Sequence, residues 1–350
     1  MVPMLLLGMN KTWRHNMDRA VSLWMTIPMC FLEWFFGVTI RVCGDPIEYD
    51  EPAMILMNHR TRLDWMYIWS ALFQINPWLI TSNKISMKKE LKFLPGAGFG
   101  MSANQFIFLE RNIEKDKESF ENTIEYYASM KNNYQVLLFP EGTDKTDWTT
   151  AKSNSFAKKN GLSQLEYVLY PRVAGFNHLL NKMRQENYIS YIYDITIGYP
   201  YKTVQTEIHL VAKGDAPKEV HFHVKKIPIS EIPRSDTAAG AWLTKLWLEK
   251  EERLRKYYAE PRESFRRFES NGFSWSNVKE SWRKRFMKIF SGFIFLTVTF
   301  VWLYHVTFIR FLQIGLLYAI FVQLFTGYFY GGIDGFTLYR WRKTKAKSFI

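Results

Sequence analysis

The apolar positions divide the chain into two apolar ends and a more polar middle. Near the start, the run from Ala20 to Val42 has the length of a membrane span of about 20 residues, although Pro28, Glu33 and Arg41 interrupt it. Basic residues precede this run, as in a signal peptide, but it is long and lacks a small-residue cleavage site. We therefore predict a retained N-terminal membrane anchor over residues 1–45, either spanning the bilayer or lying within one leaflet.

The C-terminal end is apolar almost without a break from residue 289 to residue 330, with one polar interruption near His305. This length accommodates two spans of about 20 residues each, and basic clusters flank it on both sides. We predict a two-span membrane hairpin at 289–330, preceded by a connector at 261–288 and followed by a basic tail at 331–350. The alternative is a buried helical pair in a soluble domain.

The middle of the chain alternates between short apolar runs and amphipathic segments. The predicted strands are 53–58, 134–140, 188–200 and 219–229, and the predicted helices are 64–73, 114–132 and 238–259. Such alternation is typical of an α/β fold. We predict one α/β domain over residues 46–260.

The charge and the cysteine content of the chain limit the classes of ligand that it is expected to bind. The chain has 350 residues, 46 of them lysine or arginine and 33 aspartate or glutamate, which gives a formal net charge of +13. This charge favours phospholipid headgroups, phosphorylated cofactors or nucleic acid, but the basic residues are spread out and lie beside the apparent spans, which disfavours nucleic acid. The two cysteines lie in or just after the first apolar run, so neither a disulfide scaffold nor a metal site is expected.

The stretch MNHRTRLDW at residues 57–65 carries the first candidate chemistry, because it places His59 and Asp64 between a strand and a helix. Ligand sites of α/β folds commonly form at this edge. A turn that folds Asp64 back onto His59 would fix the imidazole tautomer and leave its other nitrogen to accept a proton. The alternative is a capping or core histidine with an unrelated surface aspartate.

Two further polar groups follow apolar runs. The stretch FPEGTD predicts a tight turn in which Glu141 binds a headgroup or a basic residue, and the amides of Gly142 and Thr143 contact phosphate. FLER ends in Arg111, whose guanidinium suits a phosphate, although pairing with a nearby glutamate is an equal alternative.

Four lysines lie between the MNHRTRLDW stretch and the FLER stretch. They could contact the phosphates of coenzyme A (CoA) or the membrane surface, or simply form a solvated charged face: Lys84, Lys88, Lys89 and Lys92.

The order NHRTRLD, FLER, FPEGT and YPRVAGF resembles the glycerophospholipid acyltransferase family. The wider matches MNHRTRLDWMYIW, SNSFAKKNGL and EKEERLRKYY are similar to its lysocardiolipin and lysophosphatidylinositol branch. The resemblance implies a mixed central sheet flanked by helices. It also implies transfer of a fatty acyl group from acyl-CoA to a lysophospholipid hydroxyl, without a bound cofactor or metal. The endoplasmic reticulum, or a mitochondria-associated membrane, is the implied location.

The resemblance also implies residue roles. His59 would take the hydroxyl proton and Asp64 would orient it, with substrate contacts from Asn58, Arg111, Glu141, Gly142 and Thr143, and CoA or headgroup contacts from Lys84, Lys88, Pro171 and Arg172. The same motifs leave a 1-acylglycerol-3-phosphate or lysophosphatidylglycerol acyltransferase open. The remaining alternatives are a hydrolase and a non-enzymatic lipid-binding protein. The sequence contains no GxSxG motif, which disfavours the hydrolase.

Overall fold

The computed structural model describes residues 2–94, 96–110, 112–269, 273–274 and 281–347. The chain forms two compact units: one holds residues 1–27, 84–132 and 281–350, and the other holds residues 28–83 and 133–280. We call them the discontinuous unit and the main-sheet unit, respectively.

The strands are β1 (Thr39–Gly44), β2 (Ala53–Met57), β3 (Asn83–Lys88), β4 (Ile107–Leu109), β5 (Gln135–Leu138), β6 (Tyr191–Gly198), β7 (Glu219–Pro228) and β8 (Phe273–Ser274). The helices are α1 (Val2–Leu6), α2 (Asn10–Cys30), α3 (Asp64–Ile75), α4 (Leu79–Ser82), α5 (Ala97–Ala103), α6 (Ile113–Met130), α7 (Asp147–Lys159), α8 (Val173–Gln185), α9 (Glu207–Lys213), α10 (Asp236–Ala259), α11 (Trp282–Phe308), α12 (Arg310–Tyr330) and α13 (Ile333–Lys347). A π-helical turn (Phe31–Phe35) and 3₁₀ turns at Lys89–Phe93, Ile229–Glu231 and Glu263–Phe265 complete the elements.

The main-sheet unit is built on a mixed sheet with the strand order β5-β2-β6-β7-β1-β8. β2 runs parallel to β5 and to β6, and β1 runs parallel to β7, whereas β6/β7 and β1/β8 are antiparallel. Every residue of β2 and β5 is buried, which explains why these strands read as continuous apolar runs. The predicted mixed α/β fold with flanking helices is confirmed.

The parallel pairing of β2 and β5 decides where the candidate site forms. Ile55 lies opposite Leu137, so both strands end at the same edge of the sheet. The residues that follow β2 and those that follow β5 therefore meet there. This is the edge at which α/β sheets usually bind ligands.

The discontinuous unit contains the parallel pair β3/β4 and a helical core of its own. A cluster of buried side chains joins its N-terminal and C-terminal parts: Leu5, Trp13, Met17, Ala103, Ile333 and Phe336. The segment predicted as a basic tail is therefore mostly helix α13, and its Phe336 and Trp341 are buried.

The predicted N-terminal membrane segment is not confirmed. Helix α2 buries a stripe at four-residue spacing, including Trp13, Val21 and Met25, so this face packs against protein. The helix ends at Cys30, and residues 39–44, where the predicted segment finishes, form strand β1 within the sheet. Pro28, Glu33 and Arg41 therefore lie where the chain changes from a helix to a strand. They are not interruptions of a single membrane span.

The C-terminal hairpin agrees with its prediction. Helices α11 and α12, of 27 and 21 residues, are long and apolar enough to cross a membrane. Almost all of their apolar side chains are exposed, which is unlike the core helices of a soluble protein. The first helix begins at Trp282, inside the predicted connector, much of which lies outside the described residues.

Candidate active site

We call the stretch NHRTRLD at residues 58–64 the histidine box. It begins with an asparagine that extends the sheet. Asn58 is buried directly after β2, where its Oδ1 accepts a hydrogen bond from Ile197 N at 2.9 Å and its Nδ2 donates to Ile197 O at 3.2 Å. The side chain therefore continues the pairing of β2 with β6 by one position. These contacts position the turn that carries His59.

The turn after Asn58 brings His59 and Asp64 together. Their Nδ1 and Oδ2 atoms lie 3.0 Å apart, and Asp64 is fully buried as the first residue of α3. The carboxylate also accepts hydrogen bonds from the amides of Arg60 and Thr61 at 2.6 and 3.0 Å, from Thr61 Oγ1 at 3.0 Å, and from the Tyr199 hydroxyl. Because these donors converge on both oxygens, they hold the carboxylate in one position.

The imidazole of His59 is held on one side and open on the other. Its ring stacks on Phe139, with the ring centroids 4.3 Å apart, and its side chain is 18% exposed. Because Asp64 accepts at Nδ1, the proton belongs on Nδ1, and Nε2 keeps its lone pair. Nε2 has no hydrogen-bond partner within the described ranges, so it is available to accept a proton from a substrate.

The turn after β5 places Glu141 against the histidine box. Glu141 is buried, and its Oε1 accepts hydrogen bonds from His59 N at 3.4 Å and from Trp247 Nε1 at 3.2 Å. Burial raises the pKa of Glu141 to about 8, so the group is mostly neutral near pH 7. Glu141, which was predicted to bind a headgroup or a basic residue, thus links the box to helix α10 through these two hydrogen bonds.

The raised pKa predicts a pH-dependent stability. The folded chain keeps a proton on Glu141 that the unfolded chain releases near its ordinary pKa of 4.5, so this group destabilises the fold progressively from there to about pH 8. Glu141→Gln stays neutral and keeps the oxygen acceptor. We expect its melting temperature in detergent to fall less than that of the wild type between about pH 5 and pH 9.

The control for this experiment is Glu231→Gln, which changes an exposed carboxyl of the same unit. Its melting curve should track that of the wild type at every pH. Parallel pH profiles for wild type and Glu141→Gln would show that Glu141 is charged in the folded chain.

Gly142 and Arg172 meet in the same turn. Gly142 has a φ of +73°, which favours glycine, and its amide donates to Phe139 O at 2.9 Å. Arg172 N donates to Pro140 O at 2.7 Å, and its guanidinium lies over Gly142, where a Cβ would come within 2.9 Å of Nε. The structure thus brings Pro171 and Arg172 to the turn that carries Glu141, and the Thr143 hydroxyl contacts Asp144 Oδ1 at 3.4 Å.

Helix α10 holds the loop that delivers Arg172. The buried carboxylate of Glu251 accepts the amide hydrogens of Glu166, Tyr167 and Val168 at 2.8, 2.8 and 3.0 Å. This contact gives a structural reason for the EKEER stretch that the sequence alone did not explain.

The remaining predicted residues are Lys84, Lys88 and Arg111, and the structure contradicts the prediction for Lys84 alone. Lys84 is wrong as a surface contact, because it is fully buried and its ammonium group donates to Asp18 Oδ1 at 2.6 Å and to both oxygens of Asn104. Lys88 is half exposed and pairs with Glu90 at 3.2 Å. Arg111 lies outside the described residues.

The sequence reasoning missed three residues that complete the site: Thr61, Tyr199 and Trp247. Thr61 lies inside the box, so its hydroxyl was a visible signal. Tyr199 and Trp247 come from distant parts of the chain and carried no local signal.

An oriented imidazole with one free nitrogen at a sheet edge is the arrangement of a general-base enzyme. The acyltransferase family matches residues 39–199, a range that contains the whole box and Tyr199, and the acyltransferase C-terminus family matches residues 211–295. The chain belongs to the acyltransferase family.

Individual relatives refine this comparison. The chain is 55% identical over 342 residues to lysophosphatidylinositol acyltransferase 10 of Caenorhabditis elegans, covering 97% of this chain and 88% of that protein. It is 45% identical to lysocardiolipin acyltransferase 1 of Gallus gallus, covering 70% of this chain and 64% of that one. It is 30% identical to probable 1-acyl-sn-glycerol-3-phosphate acyltransferase 5 of Arabidopsis thaliana, covering 67% and 61%.

Proposed function

We propose that the protein transfers a fatty acyl group from acyl-CoA to a free hydroxyl of a lysophospholipid. The observation that carries this proposal is the His59–Asp64 pair, whose free Nε2 lies at the exposed side of a buried hydrogen-bond network. Lysophosphatidylinositol is the first acceptor to test and lysocardiolipin the second, in keeping with the names of the relatives at 55% and 45% identity.

The chemistry follows from the free nitrogen. His59 Nε2 takes the proton of the acceptor hydroxyl as its oxygen attacks the thioester carbonyl carbon. The resulting imidazolium is stabilised by Asp64, since its Nδ1–H points at the buried carboxylate. Collapse of the tetrahedral intermediate breaks the C–S bond, CoA leaves as the thiolate, and the proton on Nε2 passes to the departing sulfur. The products are the acylated phospholipid and CoA.

The membrane hairpin suits substrates that carry long acyl chains, because anchoring the enzyme spares their transfer into water. In this proposal residues 46–260 form the catalytic domain, 289–330 the hairpin, and the enzyme acts in phospholipid remodelling in the endoplasmic reticulum. Arg111 is expected to bind the acceptor phosphate.

A second candidate is a 1-acylglycerol-3-phosphate acyltransferase, which is the activity in the name of the Arabidopsis thaliana relative. The two candidates share the base and the donor and differ only in the acceptor headgroup.

The test measures transfer of labelled oleoyl-CoA by membranes that contain the chain, against membranes without it. The acceptors are lysophosphatidylinositol, lysocardiolipin, lysophosphatidylglycerol and 1-acylglycerol-3-phosphate. We expect the first two to be acylated fastest. Preference for 1-acylglycerol-3-phosphate would select the second candidate, and release of free fatty acid without acceptor would favour a hydrolase.

A further inference from the structure

Two cationic residues that the reaction scheme leaves unused flank the proposed base. Arg60 follows His59 directly. Lys145 lies in the turn after β5, and its amide donates to the carbonyl oxygen of His59 at 2.8 Å. The backbone therefore holds a lysine and an arginine on either side of the His59 carbonyl, and both side chains are half-buried.

Neither cation has an acidic partner among the residues that the structure describes. Within the part of the chain that the structure describes, the Nε of Arg60 is buried without a hydrogen-bond partner, and the ammonium group of Lys145 donates only to Thr150 Oγ1, at 3.0 Å. Burial, followed by the positive charge of Arg60, lowers the pKa of Lys145.

Three carboxyl groups lie near Lys145: Glu141, Glu251 and Asp147. None of them forms an ion pair with its ammonium group among the residues that the structure describes. Glu141 is mostly neutral through burial, and Glu251 already accepts three backbone amides. Two like charges that have lost part of their water are unfavourable without an anion, so the pair is suited to bind one.

The chemistry of the proposed substrates identifies the anion. The reacting groups, a hydroxyl and a thioester, are neutral, whereas both substrates carry phosphate. A guanidinium fork beside an ammonium group is a suitable donor set for phosphate oxygens. Resting on the proposed function, we propose that Arg60 and Lys145 form a phosphate-binding site beside His59, for a phosphate of either the acceptor lipid or CoA.

Such a site would promote the reaction by holding the substrate in a fixed position. A phosphate bound there fixes its substrate at a constant distance from His59 Nε2, which lowers the entropic cost of reaching the reactive arrangement. Loss of either cation should therefore raise the KM of the substrate that carries the bound phosphate.

The experiment measures KM for oleoyl-CoA and for lysophosphatidylinositol in Arg60→Gln, Lys145→Gln and wild type. The matched control is Arg62→Gln, which removes an exposed arginine of the same box. We expect each test variant to raise one KM by about 10- to 100-fold, the range of a charge-assisted hydrogen bond, and Arg62→Gln to leave both unchanged. Lys145→Arg, which keeps the charge, should restore most of the affinity.

The outcomes separate the two sources of phosphate. A rise in the acceptor KM alone assigns the site to the lipid, and a rise in the donor KM alone assigns it to CoA. If both values stay within about twofold of wild type, or if Arg62→Gln has the same effect, the site is disproved. Melting temperatures in detergent identify a misfolded variant, in which case the other variant decides. Absence of acyl transfer by the wild type would instead overturn the proposed function.

Discussion

Replacement of His59 by alanine is expected to lower acyl transfer by about 10²- to 10⁴-fold, the usual contribution of a general base. The substitution removes Nε2, the only atom in the proposed scheme that accepts the hydroxyl proton. Because the side chain is partly exposed and forms one hydrogen bond, the fold should survive its loss. Initial rates with labelled oleoyl-CoA at saturating acceptor, with expression matched, measure the effect.

The control is His15→Ala, which removes an exposed histidine of the discontinuous unit. Its rate should equal that of the wild type. A His59→Ala variant that keeps more than about a tenth of the wild-type rate would rule out His59 as the base.

Asp64→Asn is expected to be nearly as damaging to the rate and more damaging to the fold. The asparagine amide would turn an NH₂ group toward some of the donors that now converge on the carboxylate, leaving buried polar groups unpaired at about 1–3 kcal/mol each. His59 would also lose the anion that fixes its tautomer. We expect a loss of at least about 10²-fold in kcat, together with a lower melting temperature.

Tyr199→Phe provides a graded comparison, because it removes one donor to Asp64 and keeps the carboxylate and the aromatic ring. Its kcat should fall less than that of Asp64→Asn, and its KM values should stay near those of the wild type. Equal losses in the two variants would contradict this graded role, because they would mean that the single hydroxyl of Tyr199 matters as much as the carboxylate itself.

The local spacing predicted the pairing of His59 with Asp64, but not the residues that surround the pair. The five-residue interval between His59 and Asp64 required a turn, and the turn is present. The hydroxyl of Tyr199 and the indole of Trp247 come from strand and helix positions far along the chain. Their contacts depend on which strands become neighbours, and no local pattern in one sequence encodes that pairing.

The errors came from two general rules applied to exceptional residues. Lysine is usually exposed, but Lys84 is buried because Asp18 and Asn104 accept all of its donors. Residues 39–44 were assigned to a membrane segment because an apolar run continues into them, yet they pair with β7. A buried strand and part of a membrane helix look alike over six residues, and only the partner distinguishes them.

The long-range contacts of the box also decide when, during synthesis, the enzyme can become active. Tyr199 emerges from the ribosome 135 residues after Asp64, and Trp247 emerges 106 residues after Glu141. A nascent chain that has exposed only the box therefore holds its histidine without a completed carboxylate network. All of the described main-sheet-unit residues precede the C-terminal helical hairpin in the sequence. The hydrogen-bond network of the box can therefore form before the hairpin has left the ribosome.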